Sequence, residues 1–96
     1  MHVHIALFRW KDSATQEAIA TALATIESLA SKVPGIVEIV CRKNESKYAE
    51  GYTHVVMVRG ESQEAIDAYR AHPDHVLAAR QIESIEDRGI GVDFEA

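Results

Sequence analysis

The 96-residue sequence predicts an α+β fold with the element order β-α-β-β-α-β, on three observations. Apolar residues alternate with period two over residues 3–10, 36–42 and 52–59, the signature of strands. One long apolar stripe at helical spacing separates the first two of these runs. The two prolines, Pro34 and Pro73, stand where a helix has to stop or start. Nothing in the chain reads as a linker, repeat or low-complexity segment, so residues 1–96 are expected to form one domain.

The elements follow in order. In the first strand Val3, Ile5 and Leu7 share one face, and His4, Ala6, Phe8 and Trp10 share the other. Asp12-Ser13 signals a turn, and Ser13 with Gln16 fits an S-x-x-Q capping box. From there to Lys32 the set Ile19, Ala22, Leu23, Ile26, Leu29, Ala30 and Val33 keeps the i, i+3, i+4, i+7 spacing of one helical face, which Pro34-Gly35 ends. The second strand, 36–42, places Val37, Ile39 and Cys41 together. The polar stretch 44–51 is a loop. In the third strand, 52–59, Tyr52, His54, Val56 and Val58 share a face. Ser62 is the expected N-cap of a helix over 63–69. His72-Pro73 breaks that helix, because proline fits the first turn of a new helix but not the interior of an old one. The helix that follows carries Val76, Ala79 and Ile82, with His75 in its first turn. A short strand over 90–94 closes the chain, with Gly89 before it and Gly91 within it allowing close backbone approach.

This order is that of a ferredoxin-like split βαβ protomer, with helices on one face of a four-stranded sheet. The strands are apolar on both faces, yet one chain supplies only one helical layer. A second copy covers the other face most economically, so a homodimer is expected.

Composition excludes several classes of function. The formal charge of −5, from fifteen acidic and ten basic side chains, argues against a nucleic-acid partner, which requires a basic patch. No apolar run approaches the roughly 18 residues that cross a bilayer, so no membrane partner is expected. Met1-His2-Val3-His4 has no leader-like pattern, and the single Cys41 allows no internal disulfide; both point to the cytoplasm. There is no G-x-G-x-x-G, phosphate loop or G-x-S-x-G, and no H-x-x-x-H or H-E-x-x-H. A nucleotide cofactor, a serine nucleophile and a side-chain transition-metal site therefore lack a sequence signal. His72-x-x-His75 is a poor ligand pair across a helix start.

The candidate chemistry lies in histidines. His4 and His54 sit on the two strands that are central neighbours in this topology. If both face the helices they converge beneath Tyr69, and His75 enters from the helix junction. Two or three imidazoles and a phenol in one apolar cavity are equipment for moving protons on a carbonyl compound. Asp93 is placed to fix a histidine tautomer by accepting its second N–H. The structural readings are a hydrogen-bonded core histidine at His4 or His54, a helix cap at His72, and a core aromatic at Tyr69.

His4, the run Gly51-Tyr52-Thr53-His54, Tyr69-x-x-His72-Pro73-x-His75 and Val92-Asp93-Phe94 together resemble the stress-responsive dimeric α/β-barrel (Dabb) family over essentially the whole chain. The resemblance implies a ferredoxin-like protomer and a homodimer whose two sheets form a barrel. One member of that family, a plant polyketide cyclase, performs an aldol condensation without a metal. By similarity to it His4, His54, Tyr69 and His75 would line the pocket. His75 would be the base, Asp93 its orienting partner and Tyr69 the oxyanion donor. Ile26 stands where the cyclase has a tyrosine, so its substrate is not carried over. Some members also hold magnesium on backbone carbonyls, here those of Ala30, Val33 and Ile36; no other cofactor is implied. The expectation is a homodimer that binds a small carbonyl ligand and performs cofactor-free acid–base chemistry of lyase, cyclase or isomerase type. The alternative is a non-catalytic stress-response or interaction protein with structural histidines. Heme-degrading and monooxygenase chemistry, found in other dimeric α/β-barrel families, ranks behind both because no heme ligand is distinctive.

Overall fold

The computed structural model describes residues 1–96 as β1 (His2–Trp10), α1 (Gln16–Ser28), a 3₁₀ turn (Leu29–Ser31), β2 (Ile36–Lys43), β3 (His54–Gly60), α2 (Gln63–Ala71), α3 (Pro73–Ile85) and β4 (Glu86–Glu95). The sheet order is β2-β3-β1-β4, with every neighbouring pair antiparallel. This is the ferredoxin-like arrangement, with β1 and β3 in the centre. The helices lie on one face, α1 packing against α3 and α2 against β3. No helix is long and apolar enough to cross a membrane.

Between sheet and helices the core comprises Phe8 from β1, Ile19, Ala22, Leu23 and Ile26 from α1, Ile36 and Ile39 from β2, Val56 and Val58 from β3, and Ala65, Ile66, Tyr69, Ala78 and Ile82 from α2 and α3, with Leu29 and Val33 beyond α1. The opposite face of the sheet has no such cover. There Ile90, Val92 and Phe94 of β4 are exposed, and Ile5 and Leu7 of β1 are only half-buried.

Local chemistry adjusts several expected boundaries. The cap of α1 is Thr15, whose Oγ1 accepts from Ala18 N–H at 3.1 Å. Ser13 stays outside because Ala14 N–H donates to Lys11 C=O and closes a turn across it. The helix tightens at Leu29, whose carbonyl accepts from both Lys32 and Val33 N–H. Gly35 then turns the chain with φ +86°, and a Cβ there would stand 2.8 Å from that of Ala65, so only glycine lets β2 begin beneath α2. A register shift between Ile36 and Glu38 leaves Val37 unpaired. Val37 is therefore exposed, and Ile36 joins Ile39 in the core.

β3 begins at His54 rather than Tyr52, since Thr53 C=O caps the hairpin loop by accepting from Asn44 N–H. In α3, Pro73 and the cap at His72 set the helix phase, so Ala78 and Ile82 turn inward and Val76 outward. His72 Nδ1 accepts from Asp74 N–H at 3.0 Å, the structural reading of that histidine. β4 is longer than expected and pairs with β1 from Glu86 to Glu95, with Asp87 left out of the ladder.

Candidate active site

Strand alternation places His4, Ala6, Phe8 and Trp10 of β1 on the helix-facing side. Their β4 partners are Asp93, Gly91, Gly89 and Glu86. The last of these pairings depends on a register shift between Arg9 and Trp10. Arg88 pairs with Arg9 and Glu86 with Trp10, so Asp87 is the extra residue and Glu86 is rotated onto the inward face. Arg9 Nε holds Asp87 Oδ2 at 2.7 Å.

Above this strip, His4, Ala6, Phe8, Ile26, Val56, Tyr69, His75, Ala79, Ile82, Glu83 and Glu86 enclose a half-open cavity of about 170 Å³. Alanine at positions 6 and 79 leaves the space that larger side chains on β1 and α3 would fill. The volume is below the 300–1,000 Å³ usual for drug-sized ligands, which favours a small compound.

At one end, His4 Nδ1 stands 2.7 Å from Asp93 Oδ1. A carboxylate accepts, so Nδ1 carries the hydrogen and Nε2 keeps a free lone pair. Arg70 Nη2 also donates to Asp93 Oδ1 at 3.1 Å. It lies 3.1 Å from His4 Nδ1 as well. Two donors cannot bond one another, so Arg70 and His4 meet through their shared carboxylate. The His4 hydrogen bond, together with the Arg70 charge, holds the Asp93 carboxyl below the ordinary range and therefore ionised.

Tyr69 is 2% exposed, and its ring meets that of His75 edge-on with centroids 4.6 Å apart. Burial pushes the Tyr69 phenol well above its ordinary pKa, so at neutral pH it keeps its proton and is a donor. Burial, then the Arg70 charge and the neighbouring His4, push the His75 imidazole below its ordinary pKa. His75 is thus neutral at pH 7, and neither its ring nitrogens nor the Tyr69 hydroxyl bond to another protein group.

The structure brings His4, Tyr69 and His75 to this cavity and sets Asp93 behind His4. Two expectations are corrected. Asp93 partners His4, not His75, because the β1–β4 ladder pairs positions 4 and 93 directly. His54 lies away from the cavity: it pairs with Phe8, four residues along β1 from His4, about 13 Å at strand rise. There its Nδ1 accepts from Trp10 Nε1 at 2.9 Å and lies 2.9 Å from Thr53 Oγ1. Burial pushes its pKa down. These contacts are those of a structural histidine.

Ala30 in the 3₁₀ turn, Val33 just after it and Ile36 at the start of β2 carry the backbone carbonyls expected to hold magnesium. The Val33 carbonyl accepts from Ile36 N–H at 3.2 Å, and the adjacent Lys32 ammonium is paired with Asp74 at 2.7 Å. No group of three or more His, Cys, Asp or Glu side chains has metal-holding geometry.

Arg70, Glu83 and Glu86 were not legible as site residues. The i+4 and i+8 spacing of Ala79 and Glu83 from His75 is a usable signal. Arg70 carries none, since it reaches the site only through Asp93.

The family model described as the stress responsive A/B barrel domain matches residues 3–96. Olivetolic acid cyclase of Cannabis sativa is 32% identical over 75 residues, covering 76% of this chain and 74% of the cyclase. A stress-response A/B barrel domain-containing protein of Arabidopsis thaliana is 32% identical over 78 residues, 81% of this chain. The match spans only 30% of that Arabidopsis protein's own length. Among solved structures, a dimeric ferredoxin-like protein of unknown function from Thermobifida fusca superposes with a TM-score of 0.85 at 25% identity, covering 99% of this chain and 90% of that one.

Proposed function

The chain belongs to the stress-responsive A/B barrel (Dabb) family, and from that premise we propose that it is a homodimeric, cofactor-free acid–base enzyme acting on a small carbonyl compound. The observation that carries this reading is the cavity in which the oriented His4 faces the neutral His75 and the protonated Tyr69. A small ketone or β-dicarbonyl enters with its carbonyl oxygen toward the Tyr69 hydroxyl. His4 Nε2 takes a proton from the carbon next to the carbonyl, and Asp93 steadies the imidazolium that forms. The negative charge moves to oxygen, where Tyr69 donates. Return of the proton to carbon, by His4 or by His75, completes an isomerisation or exchange. The same enolate is the intermediate of aldol-type bond making and breaking, which places cyclase and lyase reactions within reach of one site. Similarity to olivetolic acid cyclase supports this class of chemistry. The small cavity and Ile26 in its wall point to a shorter substrate.

The homodimer rests on the uncovered apolar sheet face and on a structural neighbour that is itself described as dimeric. The test of catalysis is exchange of acidic C–H protons of simple β-dicarbonyls and aryl ketones in D₂O, followed by NMR. Exchange above the buffer rate that disappears in a folded His4→Ala variant is the expected result. Exchange at the buffer rate with the wild-type protein would overturn it and leave a non-catalytic stress-response domain.

A further inference from the structure

Resting on the carbonyl-chemistry reading of the same cavity, the geometry points to Glu86, backed by Glu83, as the group that selects the substrate: a carbonyl compound bearing a cationic amine at its far end. The face of α3 that borders the cavity carries His75, Ala79, Ile82 and Glu83, with Glu86 just beyond at the start of β4. His75 and Glu83 are eight residues apart on one helix, about 12 Å along its axis. Between those ends the lining is apolar, from Ala6, Phe8, Ile26 and Val56. The matching ligand therefore has two polar ends and an apolar middle.

Glu86 is held inward by the fold itself. The extra residue Asp87, anchored by Arg9, rotates it toward the cavity. Gly89 then leaves room for its carboxylate: a Cβ at Gly89 would lie 2.8 Å from Glu86 Oε2 and 3.2 Å from Cδ. No cation of the chain answers this charge. The ion pairs of the fold use Glu27, Glu38, Asp74, Asp87, Asp93 and Glu95, but neither Glu83 nor Glu86. Lys11 donates to the neighbouring Ser84 carbonyl at 3.3 Å and makes no ion pair with either carboxylate. A half-buried carboxylate next to a second one gains most from a ligand that brings its own positive charge. Burial and Glu83 hold the Glu86 carboxyl above its ordinary pKa, consistent with a charge lacking its partner.

The test compares 4-(aminomethyl)acetophenone with its neutral isostere 4-(hydroxymethyl)acetophenone, by calorimetric or NMR titration of the full chain. The ammonium compound is expected to bind at least about tenfold more tightly. That ratio should collapse toward one in Glu86→Gln, fall in Gly89→Ala as the carboxylate is displaced, and persist in His4→Ala. A wild-type ratio near one, a ratio preserved in Glu86→Gln, or binding of neither probe overturns the assignment. Exchange of the methyl protons is read on the same samples. Exchange without preference would remove the selectivity and leave the reaction standing. Preference without exchange would remove the reaction and leave the selectivity standing.

Discussion

Asp93 Oδ1 and His4 Nδ1 are 2.7 Å apart, although the two residues lie at opposite ends of the chain. They are direct partners in the β1–β4 ladder, so backbone pairing fixes their separation more firmly than side-chain rotamers alone would. Arg70 binds the same carboxylate oxygen from α2 and ties the helical layer to the edge strand. The arrangement gives a base oriented by a carboxylate, with a cation on the same carboxylate oxygen.

Asp93→Asn is expected to lower the rate of carbonyl C–H exchange on the order of 10²-fold or more, with substrate affinity little changed. Asp93 is exposed, so the melting temperature should move by only a few degrees. Steady-state rates and calorimetry check both parts. An unchanged rate would remove Asp93 from the mechanism.

Tyr69→Phe separates the hydroxyl from the ring. The ring packs in the core and the hydroxyl has no protein partner, so stability should stay within about 1 kcal/mol of wild type. Exchange should fall by roughly 10²-fold as the oxyanion donor is lost. Tyr69→Ala, which also opens a cavity, should cost about 3–5 kcal/mol in denaturant unfolding. A fully active Tyr69→Phe would assign the phenol to packing alone.

His54 governs part of the acid sensitivity of the fold. Its folded pKa lies below the ordinary value, chiefly through burial and then through Lys43. The unfolded chain therefore binds the proton first, and the contribution is fully present above about pH 6.5 and lost as pH falls through the lower folded value. Protonation also sets an N–H against the Trp10 indole N–H. His75 acts in the same direction. The melting temperature should drop between pH 7 and pH 5, and the drop should shrink by a few degrees in His54→Gln. Equal drops in the two proteins would contradict the assignment.

Val92 pairs with Ile5 on the uncovered face of the sheet. Light scattering should return twice the 10.6 kDa chain mass for the wild type. Val92→Asp, which sets a charge in that apolar face, should shift the protein to the single-chain mass. A wild-type monomer at micromolar concentration would defeat the dimer.

The sequence by itself determined the order of elements, because each is written in local chemistry. Period-two runs mark the strands, the stripe from Ile19 to Val33 marks α1, and Pro73 after His72 marks the break between α2 and α3. It also grouped His4 with Ala6 and Phe8 on one face of the first strand and put Tyr69 and His75 on either side of the helix junction, without deciding which face of the strand meets the helices. Tertiary structure alone decided what each inward residue meets. Alternation gives a face but not a register. Pairing of β4 with β1 set Asp93 on His4 and left His75 without a carboxylate, and pairing of β3 with β1 carried His54 to Trp10, beyond the cavity. Two register shifts, at Val37 and at Asp87, turned one apolar residue out and one acidic residue in. A bulge reverses the face of every residue beyond it, and its position depends on the partner strand, which no local pattern encodes.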